Sequence, residues 1–176
     1  MKTIKILILI GLFASLFSCD KDDTEEIDNP DVEAYIEQLK SDQYQSDDLP
    51  EFTSSDISAL LLYINDNSVV NNFPHSPLSS FAPHYPPDYR LGVLVLWTIE
   101  SIRVVSCNNT HYHRFPSQHP FIKKKNEPLE WIQNHDDEAY NSVRQAYIKW
   151  WGENRSEKFG EICSIDPLEN TNYRWH

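Results

Sequence analysis

Leu91-Gly92-Val93-Leu94-Val95-Leu96-Trp97-Thr98-Ile99-Glu100-Ser101-Ile102-Arg103-Val104-Val105 is the most apolar stretch beyond the amino-terminal segment, and its reading decides the fold. Period alone leaves it ambiguous, because Val93 to Leu96 could form a buried strand. Its length favours a helix, since strands usually run about 4–8 residues. Leu91, Leu94 or Val95, Thr98, Ile102 and Val105 fall on a helical stripe, and Asp88 is placed to cap it. Glu100 and Arg103 sit three apart, a spacing at which opposite charges pair on a helix. The stretch reads as a central helix, surrounded on nearly all sides.

Working outward, Asp31 to Lys40 predicts a helix after Pro30, with Val32, Tyr35, Ile36 and Leu39 on one face. Thr53-Ser54-Ser55-Asp56 has the form of a capping box. It introduces Ile57, Leu60, Leu61 and Ile64, again on one face, in a helix ending near Asn65-Asp66-Asn67. Residues 71–88 hold five prolines, which stop long helices and mark a packed connector. Residues 106–126 look irregular. A short helix is expected over 127–133, with Pro128 in its first turn. Asp136 or Asp137 then caps a strong helix bearing Tyr140, Val143, Tyr147 and Trp150 or Trp151 on one side. A further helix over 157–163 is weaker. Residues 166–176 have no helical period, and Leu168, Tyr173 and Trp175 should dock on the helices.

The amino-terminal end carries a different signal. Lys2 and Lys5 precede an apolar run to Phe17 that is shorter than the roughly 20 residues a spanning helix needs. A basic start and a short apolar core describe a secretory signal. It ends in Leu16-Phe17-Ser18-Cys19, which resembles the lipobox of bacterial lipoproteins, in which the cysteine is lipidated and the chain is cut before it. Residues 1–18 are therefore expected to be removed and Cys19 to carry the anchor, with a plain signal peptide as the alternative. Residues 19–30 hold six acids and one lysine, too little apolar surface to offset ordering entropy. They are expected to form a disordered tether of at most about 35 Å. A lysine and acids directly after the cysteine resemble the export signal of Bacteroidetes-type surface lipoproteins. This favours the outer membrane with exposure at the cell surface over retention at the inner membrane.

Composition narrows the partners. The chain has 15 basic and 27 acidic residues, and loss of Lys2 and Lys5 makes the balance more negative still. Lys123-Lys124-Lys125 is the sole basic cluster, so nucleic acid is not an expected partner. The membrane is reached through lipid, and a protein or glycan partner is compatible with such a surface. With Cys19 lipidated, Cys107 and Cys163 remain in a compartment where disulfides persist. A bridge between them would close a loop contributing about 4 kcal/mol in the chain-entropy model; two buried thiols are the alternative.

Several segments together resemble a known family. They are Ser55-Asp56-Ile57-Ser58-Ala59-Leu60-Leu61, Asn72-Phe73-Pro74-His75-Ser76-Pro77-Leu78-Ser79-Ser80, Arg90-Leu91-Gly92, and Leu96-Trp97-Thr98-Ile99-Glu100-Ser101-Ile102-Arg103. Phe115-Pro116-Ser117, Asp166-Pro167-Leu168 and Tyr173-Arg174-Trp175 extend the likeness. The set is similar to a family of uncharacterised Bacteroidetes-type lipoproteins, a domain of unknown function. The resemblance implies a mainly helical fold and an extracytoplasmic address, and it brings no activity. The combined expectation is a mainly α, single helical domain of about five to seven helices over 31–176, with long proline-rich connectors, after the tether.

Chemistry is sparse. His111 and His113, with His119 and His75 or His84 nearby in sequence, are weak metal candidates, because an H-x-H pair on extended backbone faces one way. A solvated histidine-rich loop is the commoner explanation. Cys107 with His111 or His113 could be a thiol–imidazole pair, against which stands oxidation of the cysteine. Glu100, Glu130, Asp136 and Asp137 supply carboxylates, but hydrolysis of a glycosidic bond needs two of them facing across roughly 5–10 Å. No nucleophile elbow, phosphate loop or dinucleotide fingerprint occurs, and no cofactor is implied. Trp150, Trp151, Tyr147 and Trp175 could form an aromatic platform. Helical spacing assigns most of them to the core and leaves Trp151 and Trp175 as ligand-binding candidates. The leading expectation is a non-enzymatic binding lipoprotein; the rival is an extracytoplasmic hydrolase using histidines and carboxylates of residues 73–119.

Overall fold

A computed structural model describes residues 29–81, 89–110, 112–127, 132 and 136–176. Helix α1 (Pro30–Lys40) starts one residue earlier than the sequence suggests, because the Asn29 side chain accepts from the Val32 amide and caps it. Asn29 also donates to Asp56 at 2.8 Å, so the last residues assigned to the tether already belong to the domain. The capping box at Thr53 and Asp56 is present. The helix it opens is broken up, however. A 3-10 turn (Ser54–Asp56) leads into α2 (Ile57–Leu60), and a second 3-10 turn (Leu61–Tyr63) follows. Ile57, Leu60 and Ile64 are buried as the spacing required.

Helix α3 (Leu91–Ser106) runs through the middle and is buried on every side from Leu91 to Val104. Its N-cap is Arg90, without a side-chain cap, and Asp88 lies outside the described residues. The polar side chains on this apolar rod each bind a different neighbour. The Thr98 hydroxyl meets Tyr35 of α1 at 2.9 Å, the Trp97 indole donates to Ser117 at 2.7 Å, and Ser101 donates to the Arg114 carbonyl at 2.6 Å. In a water-free interior an unmade hydrogen bond costs about 1–3 kcal/mol, so these pairings fix how the surrounding segments sit.

Helix α4 (Asp137–Asn154) is capped by Asp136, whose side chain accepts from the Ala139 amide at 3.0 Å. Its Tyr140, Val143, Tyr147 and Trp150 face inward, while Trp151 is half-buried. Arg144, also buried, donates to the Ile64 carbonyl at 2.8 Å and so satisfies the end of the Ile57–Tyr63 segment. Helix α5 (Phe159–Ile162) is a single turn. Of the short helix expected over 127–133, most lies outside the described residues.

Two small sheets, which the sequence did not suggest, accompany the mainly helical fold. Strands β1 (Val69–Val70) and β2 (Tyr89–Arg90) pair antiparallel just before α3. Strands β3 (Ile122–Lys124) and β4 (Tyr173–Trp175) pair antiparallel with Ile122 opposite Trp175. The irregular 106–126 stretch and the non-helical C-terminal stretch are thus partners. Among the described residues the result is one mainly helical domain of five α-helices with two short ribbons.

Candidate functional site

Behind α4 lies a buried polar chain. Glu100 is 5% exposed and takes two hydrogen bonds from Arg103, at 2.9 and 2.6 Å. The Tyr147 hydroxyl donates to Glu100 at 2.6 Å and itself accepts from the Trp175 indole at 2.8 Å. Arg103 reaches on to the carbonyl of Cys163. Burial and then the Glu100 charge push the Tyr147 hydroxyl well above its ordinary range. Burial alone would lower Arg103, but its hydrogen bonds to Glu100 and the charge there hold it above its usual value. Cys163 is bonded to Cys107, at the C-terminal end of α3, with Cα atoms 5.8 Å apart. The thiol–imidazole reading of Cys107 is thereby overturned, because its sulfur is spent in the bridge.

This chain and the bridge fix the start of segment 163–171, which forms one wall of a surface groove; the outward face of α4 forms the other. The segment is fastened again further along, where Lys125 donates to the Leu168 and Glu169 carbonyls at 2.8 and 2.7 Å. Asp166 and Thr171 bind the backbone of the turn itself. The groove has a volume of about 320 Å³. Ser142, Gln145 and Lys149 line it from α4, and Pro167, Asn170 and Thr171 line it from the opposite wall. Ala146 and the buried Trp150 contribute its apolar floor.

Trp151 and Trp175 do not make a shared platform with Tyr147 and Trp150. Tyr147 and Trp150 are core residues, Trp151 donates its indole hydrogen to Ser58 at 2.8 Å, and Trp175 donates to Tyr147. Both tryptophans are half-buried against the core.

The histidines divide. His111 lies outside the described residues. His113 is exposed, at φ 47°, beside a second hollow of about 360 Å³ that also holds Asp48, Glu51 and Arg114. Glu51 is paired with Arg114 at 2.8 Å, and Asp48 accepts from the Leu49 amide at 2.9 Å. His119 is 1% exposed, stacked on Phe121 and 5.2 Å from the ring of His176. Burial, reinforced by His176 and His75, pulls it down to about 4. Among the described residues no group of three or more His, Cys, Asp or Glu side chains is placed to hold a metal ion. The carboxylates considered for hydrolysis are dispersed: Glu100 is buried, Asp136 caps α4, and Glu130 is outside the described residues. Cys19 is outside them as well.

Sequence reasoning missed the groove. Ser142, Gln145 and Asn170 belong to no motif in the sequence, and only the packing of 163–171 against α4 brings them to one groove. The family model described as "Domain of unknown function (DUF4943)" matches residues 26–176. No curated protein and no solved structure matches the chain.

Proposed function

We propose, from the premise that this chain belongs to the DUF4943 family of domains of unknown function, that it is a Bacteroidetes-type lipoprotein. In this reading fatty chains on Cys19 hold it at the outer membrane, facing outward, and its folded domain is a binding module. The Lys2–Cys19 pattern supports the address. The Cys107–Cys163 bridge supports it too, since disulfides form and persist outside the reducing cytoplasm. No described helix is long and apolar enough to cross a membrane, and α3, the most apolar, spends its length in the core. Attachment in this proposal is through lipid, to which each buried methylene contributes about 0.8 kcal/mol.

One observation carries the binding reading. The groove beside α4 presents the Ser142, Gln145 and Asn170 side chains, which have no hydrogen-bond partner among the described residues, between walls that a disulfide, a buried ion pair and Lys125 hold in place. A site built in advance loses less entropy on binding than one that must form around its ligand. The hydrolase at His113 ranks second, because both carboxylates in that hollow already have partners. Anchoring is tested by growing the producing bacterium with radioactive palmitate. The wild-type chain takes up label and Cys19→Ala does not; equal labelling of the variant would refute the anchor.

A further inference from the structure

We propose that the groove between α4 and segment 165–171 binds a neutral carbohydrate, a mono- or disaccharide unit of a larger glycan. This rests on the binding-module reading and supplies its ligand class. The volume of about 320 Å³ is at the lower end of the roughly 300–1,000 Å³ typical of small-ligand sites.

The lining selects among ligands. The exposed side chains of Ser142, Gln145 and Asn170 make no hydrogen bond to any described residue, so the groove offers amide and hydroxyl groups that can donate and accept at once. Such groups match a sugar hydroxyl, which also does both. Among the described residues of the lining Lys149 is the one cation; it lies 3.9 Å from Glu153, and Asp166 adds a second carboxylate, a balance that disfavours phosphate, sulfate or uronate. A purely apolar ligand would strand the polar rim. The C–H face of a pyranose ring, by contrast, fits the small apolar surface of Ala146, Pro167 and Ile165, the last 42% exposed. The buried ring of Trp150 closes the floor.

The test uses full-length protein purified from membranes in a detergent without a sugar headgroup, applied to an array of neutral and acidic oligosaccharides. Calorimetry follows with the soluble oligosaccharide that binds best. Neutral glycans are expected to bind, and the double variant Gln145→Ala/Asn170→Ala to weaken binding at least tenfold with its melting temperature unchanged. Ile165→Asp is expected to weaken it as well. Binding confined to acidic glycans, binding indifferent to the double variant, or no glycan binding would each overturn the assignment. Glycan binding lost in a protein that still takes up palmitate ends the carbohydrate proposal alone. Glycan binding retained by a protein that takes up no palmitate ends the anchor alone.

Discussion

Glu100 meets three other side chains' fates at once: it neutralises Arg103, orders the Tyr147 hydroxyl and through it holds the Trp175 indole. Removing one member of a buried ion pair leaves the other charge without compensation, typically at a cost of about 3–5 kcal/mol. Glu100→Ala should therefore lower stability by that amount in urea unfolding. The double variant Glu100→Leu/Arg103→Met should recover much of it, and a double variant no better than the single would contradict this account. His119 acts with the opposite sign of charge. Its folded value of about 4 lies below the usual histidine value, so the native state holds the neutral ring while the unfolded chain takes a proton. This contribution is fully present above about pH 6.5 and fades as the pH falls toward 4. His75 and His176 are lowered too and add in the same direction. The urea midpoint measured from pH 7 to 4 should fall, and His119→Gln should flatten the profile. The i,i+3 pair was visible in the sequence as a pair. That it would be buried and extended by Tyr147 and Trp175 was not, because those residues arrive from elements far along the chain.

At the scale of elements, α3 was legible because sixteen residues of near-continuous apolar character exceed any ordinary strand. The α1 and α4 faces were legible from spacing, and the Thr53–Asp56 capping box from residue type alone. The segment after that box was read as one helix, yet only Ile57–Leu60 is α. The close crossing of α3 accounts for the tight geometry there. A Cβ on Gly92 would collide with the Ile64 carbonyl, and the Gly92 amide donates to the Asp66 carbonyl at 2.8 Å. Gly92→Ala is thus expected to destabilise the protein by about 1–3 kcal/mol, the usual range for overpacking, read as a lower urea midpoint. A neutral effect would show that the two segments can slide apart freely. The four strands were missed because each is two or three residues long, too short to show alternation. The β3–β4 ribbon also joins parts of the chain about fifty residues apart, and no local pattern reports such a pairing.

For the whole molecule, a polar-rimmed groove, a covalent clamp and a buried ion pair meet on one side of the central helix. The sequence offered the two cysteines as an even pair in a compartment suited to oxidation, and the fold joins them. It could not offer the groove, whose residues come from α4 and from a turn that becomes a wall only when Arg103, Cys107 and Lys125 fasten it. The proposed address and the bridge meet in a single experiment: intact mass analysis, under non-reducing conditions, of the protein extracted from the membranes of the bacterium that makes it. The account predicts a chain beginning at lipidated Cys19, with Cys107 and Cys163 resisting alkylation. A lipid-free chain that retains Met1, with those two thiols alkylated, would contradict it.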